Sequence, residues 1–569
     1  MLVALGLLLL ERSGAAAVSP GSSVLATVLL EGDGHYTLKL GEASPSLPGA
    51  VAWGSFDNTL NQTGWGELNI RTSGESTDVQ QHYAAGFLEG ALTGEHIYTT
   101  YLNTMQFTFH GRAVPASVTA FMAAQDQWAR EQVKETGSDP FWQHVGALLA
   151  QYDGMIAGYA SSGAPAVPVF AWQLLNGVGD LFQIIPAVEK SERIDWSSLS
   201  TDEARVALSK AGHCSALIKV VGDLSELFMG HSSWFEYANT NRIFKSYHFS
   251  FHAPSGANRI SFSSYPGYLE SLDDFYMMDS GLGMVQTSNG VPDNTLLDLI
   301  TPRSLLAWQR VRVASAMANT GEEWWSVFKT HASGTYVNQY MVVDFKLFTK
   351  GQALLPNTLW VVEEIPGLVK GGDQTATLAR GYWPSYNVPY YAEVYNRSGY
   401  RQLFDDAASR LPTNQIAESS LPKQPGYDGG GSEYTIGAPR SKIFRRDEGR
   451  VVDLQSFKDI LRYANYTDPY AVDPKTGRVD YGCALCMRGD LGGNGTGGAG
   501  GCYDTKVTSS TLFANMSCHA VSGPSSSASS SANVLPPFSW RPQVDAKTLH
   551  LGLPQTYDFG FVSIHAKEL

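Results

Sequence analysis

The chain has 569 residues, 43% of them hydrophobic and 11% aromatic, which supports a large buried core and excludes a disordered polymer. Its 40 basic and 54 acidic residues leave a net charge of −14 without long single-sign runs. That balance argues against a nucleic-acid partner, which needs clustered Lys and Arg to neutralise phosphates.

Residues 1–20, "MLVALGLLLLERSGAAAVSP", pair an apolar run at Leu2–Leu10 with small residues after it. This is the pattern of a signal peptide, too short to span a bilayer. Five Asn-X-Ser/Thr sequons, at Asn61, Asn396, Asn465, Asn494 and Asn515, agree with passage through a glycosylating compartment. A secreted or lysosomal location is expected.

Residues 23–110 alternate apolar and polar positions with Gly, Ser and Asn punctuation and are predicted as short strands. From Pro115 to about Pro186 the period turns helical, with Phe141, Val145, Leu148, Leu149, Tyr152 and Ile156 on one face. Residues 188–213 are polar and charged, a linker. Beyond it the pattern becomes sheet. "SALIKVV" and "ELFMGHSSW" flank Gly222-Asp223 as a hairpin. "RISFSSYPGYLES" and "FYMMDSGLGMVQTSNG" add two more, with Pro-Gly and Ser-Gly turns. "SLLAWQRVRVASAMANTGEEWWSVFKTH" reads as helix, whereas "TYVNQYMVVDFKLF" and "LWVVEEI" return to strand. Gly-rich 492–501 and Ser-rich 522–532 read as exposed loops.

Five cysteines are present. Cys483, Cys486, Cys502 and Cys518 fall within 36 residues and suggest two local disulfides. A zinc site is the competing reading, disfavoured by loose spacing in a Gly-rich segment. Cys214 is left over. A lone cysteine at a strand edge is most often a small buried hydrophobe. This one, however, ends a polar linker, opens a strand and precedes the small pair Ser215-Ala216. That is the layout of an N-terminal nucleophile hydrolase. Cleavage between His213 and Cys214 would free an α-amine, of ordinary pKa about 7.7–8.0, to act as base for the thiol beside it. Serine-hydrolase elbows, papain-type cysteine contexts and His-Glu-X-X-His are absent from the sequence.

The stretches "GHCSALIK", "HSSWFEYANTNRIFKSYHF", "SGTYVNQYMVVDFK", "RGYWPSYNVPYYAEVYNRSGY" and "APRSKIFRRDEGRV" resemble phospholipase B-like proteins, the lamina ancestor family. The resemblance runs from about residue 25 to the C-terminus. It implies an α+β fold, the four-layer αββα sandwich of N-terminal nucleophile hydrolases with antiparallel sheets, similar to penicillin V acylases and acid ceramidase-like amidases. It also implies a precursor cut ahead of the cysteine. An N-terminal fragment (21–187) and a C-terminal fragment (214–569) would stay together as one globular unit, the 188–213 linker being cut or removed.

By the same resemblance Cys214 matches the nucleophile, with His231 and Trp234 alongside the thiol. Asn387 matches the oxyanion donor, and Thr287 and Arg440 match the substrate pocket. The related acylases have an Arg and an Asp near the place of His231 and Trp234, and neither is present here. Alternative roles remain for each: core packing for His231 and Trp234, a turn for Asn387, a solvated basic face for Arg440.

The function expected is hydrolysis of an ester or amide in a lipid-like acyl substrate, without cofactor or metal. The alternative is a matured glycoprotein that binds lipid or a partner without turnover. No transmembrane segment is expected, though peripheral membrane contact is compatible with such a substrate, and the two fragments would form a monomer or a homodimer.

Overall fold

A computed structural model of the protein describes residues 19–32, 34–200, 203–204, 207–208, 214–403, 439–465, 468–470, 484–491, 497–531, 534–541 and 548–567. Strands β1 (Ser23–Leu30), β2 (Tyr36–Leu40), β3 (Ala50–Asp57) and β4 (Gly66–Thr72) come first, with the one-turn helix α1 (Leu60–Thr63) before β4.

There the expected run of strands ends. Residues 78–109 instead form a 32-residue helix, α2 (Asp78–Phe109). A capping box starts it: the Gln80 amide donates to the Thr77 hydroxyl, and the Thr77 amide donates to the Gln80 side chain. Its glycines are contact points, not turn signals. A Cβ on Gly86 or Gly90 would lie 1.9 or 2.2 Å from a backbone oxygen of α4, and Gly154 and Gly158 of α4 meet α2 in the same way.

The helical expectation for 115–186 holds, as α3 (Ala116–Thr136), α4 (Pro140–Ser161) and α5 (Val169–Val188). The predicted stripe on α4 is buried or half-buried throughout. In the linker, 190–192 and 196–198 form short turns, and Ala204 and Leu208 are buried.

The second half supplies β5 (Cys214–Val220), β6 (Leu227–Glu236), β7 (Ile243–His248), β8 (Arg259–Ser264), β9 (Phe275–Met278) and β10 (Leu282–Ser288). The β5–β6 and β9–β10 hairpins form as expected. The Pro-Gly turn closes no hairpin within its own stretch. β8 pairs with β9, and residues 265–274 are an excursion between them. Helices Ala307–Met317 and Gly321–Phe328 precede β11 (Asn338–Asp344), β12 (Leu359–Ile365), β13 (Leu368–Asp373) and β14 (Tyr382–Ser385). Helices Pro439–Asp447 and Leu454–Leu461 precede β15 (Gly500–Ser509), β16 (Ser517–Ser522), a ribbon of β17 (Phe538–Ser539) with β18 (Thr556–Tyr557), and β19 (Val562–His565).

Eleven strands make one sheet, in the order β13-β12-β11-β10-β9-β8-β7-β4-β3-β1-β2, and six make another, β14-β5-β6-β15-β16-β19. Neighbouring described strands are antiparallel except β4 and β7, which run parallel. The fold is mixed α+β.

Alternation along the strands sorts residues into three cores. Leu88 of α2 and Trp324 meet Ile70, Tyr247 and Val342 on one face of the larger sheet. Its other face joins the smaller sheet, where Ala216, Ile218 and Met229 share a cluster with Phe275, Val285 and Met341. Leu217, Phe228 and Val507 point the opposite way, toward Ile443, Phe457 and Leu461 of the two late helices.

The Ser-rich stretch is not an exposed loop. Ser525, Ser526, Ser529 and Ser530 are buried, because the buried Arg462 guanidinium donates to Ser529 Oγ and the Gly523 carbonyl. The Gly-rich stretch likewise ends inside β15. No described helix is long and apolar enough to cross a membrane.

Candidate functional site

Cys214 is the first residue of β5 and is buried. Burial pushes its thiol well above the ordinary value, while the Lys506 charge and the Trp234 backbone N–H pull it down. In the uncut chain the thiol is therefore protonated. His213, the other half of the expected cleavage site, lies outside the described residues.

Arg440 joins the expected site residues. Its Nη1 donates to the Cys214 carbonyl at 2.7 Å and to Ser215 Oγ at 3.3 Å. Its Nη2 donates to Asn387 Oδ1 at 2.7 Å and to the Tyr386 carbonyl at 2.9 Å, and the guanidinium lies 4.8 Å from the centre of the Trp234 ring. A residue readable as part of a solvated basic face is thus buried, and it meets the Cys214 carbonyl from 226 positions away. Asn387 is held at φ +69°, a left-handed conformation that Asn tolerates better than most residues. Its Nδ2 donates to the Ser288 carbonyl at 2.6 Å. Thr287, next along β10, shares a hydrogen bond of 2.6 Å with Ser385, which pairs with Ala216 in β14–β5.

His231 and Trp234 do not both flank the thiol face. Three apart on β6, they point to opposite sides of the sheet. Trp234 packs on the disulfide-bonded Cys486 and Cys502 and donates from Nε1 to the Leu485 carbonyl. His231 points between the sheets, where Lys506 Nζ approaches its Nδ1 at 3.2 Å. Burial first, then the Lys506 charge, push the imidazole well below its ordinary value, so it is neutral.

The sequence reading missed the charged group around it. Arg242, Asp273, Asp504 and Lys506 are all buried and mutually paired. Burial would raise the Asp273 carboxyl, but Arg242 and Lys506 outweigh it and hold the group below the carboxylate range. Asp273 reaches this group from the 265–274 excursion. A signal existed in "CYDTKV", where Asp504 and Lys506 recur at period two within a strand. His231, Asp273 and Asp504 bring ligand-type atoms within 4.8 Å of one another, but the Lys506 ammonium bonds to all three.

Two disulfides are expected, and among the described residues one is formed, Cys486–Cys502. Cys518 is a free thiol buried between the sheets, and Cys483 lies outside the described residues. Asn61, Asn396, Asn465 and Asn515 are exposed, while Asn494 lies outside the described residues.

The profile of the Phospholipase B family matches residues 52–410 and 422–564. The chain belongs to the phospholipase B family. Phospholipase B-like 1 of Bos taurus is 42% identical over 522 residues, covering 90% of this chain and 88% of the relative. Phospholipase B of Crotalus adamanteus is 39% identical over the same length, covering 90% and 88%. Phospholipase B-like protein B of Dictyostelium discoideum is 34% identical over 537 residues, covering 93% and 87%. The matched residues begin within β3, leaving β1 and β2 outside, and include every expected site residue from Cys214 to Arg440.

Proposed function

We propose that this phospholipase B family member is an acyl hydrolase of the N-terminal nucleophile type, with a four-layer αββα architecture and Cys214 as nucleophile. The observation that carries the reading is the Arg440 bridge, which draws Cys214, Asn387 and Trp234 from distant segments onto the first residue of one strand.

Maturation begins with attack of Cys214 Sγ on the His213 carbonyl carbon. The thiol proton passes to the departing amide nitrogen, and water then hydrolyses the thioester to leave a His213 carboxylate and a free Cys214 α-amine. In turnover that amine takes the thiol proton while Sγ bonds the substrate acyl carbon. The proton passes on to the leaving alcohol or amine, and water releases the acid and restores the thiol. Asn387 Nδ2 keeps one N–H on Ser288 and offers the other to the oxyanion, a contribution of ~3–4 kcal/mol. Thr287 lines the thiol side, and Arg440 supports the site from the opposite face through the Cys214 carbonyl and Asn387.

The sheet supports two fragments that stay together: β4 from 21–187 pairs with β7 from 214–569 over Gly66–Arg71 and Ile243–His248. Leu208 of the linker belongs to the buried cluster that includes Tyr400, whose hydroxyl donates to the Asn387 carbonyl. Removing 188–213 would open an apolar slot beside the oxyanion donor, suited to a fatty-acyl chain. The names of the relatives point to phospholipid as the substrate. The leader and four exposed sequons support a secreted or lysosomal protein.

The second reading, a matured glycoprotein that binds lipid without turnover, is favoured by the burial of Cys214. Incubation of mature protein with phosphatidylcholine vesicles and with N-acyl amides between pH 4 and 8 separates the two. Fatty-acid release that vanishes in Cys214→Ala supports the hydrolase, whereas lipid binding without release supports the binding protein.

A further inference from the structure

Two rows of side chains cross the smaller sheet on the face it turns to the larger one: Cys214, Ser233 and Asp504, then Ala216, His231 and Lys506. The rows align because β15 carries an irregularity between Cys502 and Asp504. Cys502 is paired with the outward-facing Trp234, so strict alternation would have turned Asp504 outward too. The bulge brings it in.

Lys506 Nζ sits at the centre, donating to Ser233 Oγ at 2.6 Å, to Asp504 Oδ1 at 2.7 Å and to Asp273 Oδ2. His231 Nδ1 lies 3.2 Å from the same ammonium, whose three N–H groups are already directed at Ser233, Asp504 and Asp273. Arg242 reaches Asp273 at 2.8 Å and Asp504 at 3.0 Å from the opposite sheet. A buried ion cluster of this size is a poor source of stability, because desolvation offsets the attraction. Its position calls for another role.

We propose that Lys506 is a positioning residue for Cys214, acting through Ser233, the nucleophile's cross-strand neighbour, and biasing the nucleophile toward its reactive state. The inference rests on the maturation reading above. The charged and titratable groups that act on Cys214 are Lys506 and Asp504 of β15, Asp273 of the 265–274 excursion, Tyr336 ahead of β11 and Arg440 on its carbonyl, with His231 in the next row of the sheet and Arg242 behind Asp273. Among those acting on the thiol, Lys506 exerts the largest pull toward thiolate.

The test is alkylation of mature protein by iodoacetamide from pH 4 to 9, with the adduct at Cys214 quantified by mass spectrometry. Lys506→Met combined with Asp504→Asn removes one charge of each sign, and the alkylation midpoint should rise, because the pull lost with Lys506 exceeds the opposing push lost with Asp504. Ser233→Ala leaves the ion cluster intact and should move the midpoint in the same direction by a smaller amount. If the double variant does not fold, Ser233→Ala decides alone. Unmoved midpoints in cut, folded variants overturn this inference and leave the maturation reading standing. A wild-type chain that is never cut overturns both.

Discussion

Replacing Asp180 with Asn should flatten the pH dependence of stability. Asp180 lies on α5, fully buried. Its Oδ1 accepts from the Ala307 amide at 2.9 Å, at the start of a helix, and from the Thr335 hydroxyl, while Oδ2 closes no hydrogen bond. Burial pushes its pKa from 3.8 up to about 6, against the pull of those donors. The folded chain therefore holds this proton more tightly than the unfolded one. The stabilising contribution is complete below pH ~4, falls as pH rises toward 6, and is lost above that. A shift of about two units corresponds to ~3 kcal/mol between pH 4 and 7.5. Asn keeps the shape and the acceptor but does not titrate. For a chain of 569 residues ~3 kcal/mol corresponds to roughly 2–3 °C in apparent Tm. Differential scanning fluorimetry of both proteins at the two pH values reads it as a difference of differences, since Glu236, which burial pushes to about 7, titrates in both. If wild type and Asp180→Asn lose the same Tm between pH 4 and 7.5, the reasoning fails.

Asn387→Ala should lower kcat on a phospholipid substrate by ~10²–10³ with KM little changed, since the lost donor acts on the transition state; a change confined to KM would contradict an oxyanion role. Thiol labelling of denatured, unreduced protein should modify Cys214 and Cys518 and spare Cys486 and Cys502, and adducts on the latter pair would contradict the disulfide.

The hairpin that carries Cys214 was legible because apolar runs flank a Gly-Asp turn, a signal contained within a few residues. The helix at 78–109 was not, because its glycines serve a close approach to α4 that only tertiary structure reveals. Arg440 offered a weak signal: three more basic residues follow it, and its partners lie 53 and 226 positions away. The buried ion cluster was the least legible. Charges inside a strand ordinarily mark its solvent face, and Lys506 meets Asp273 across 233 residues of chain. The Ser-rich stretch misled for a related reason, since hydroxyls that read as solvated satisfy a buried guanidinium instead.

The most direct measurement is N-terminal sequencing and intact mass of the protein's mature fragments, beside the same analysis of Cys214→Ala. A new terminus at Cys214 in the wild type, with the variant uncut at that bond, is the predicted result. A wild-type chain running unbroken through residues 213–214, or a cut there that persists in Cys214→Ala, would contradict the assignment of Cys214 as the self-exposed nucleophile.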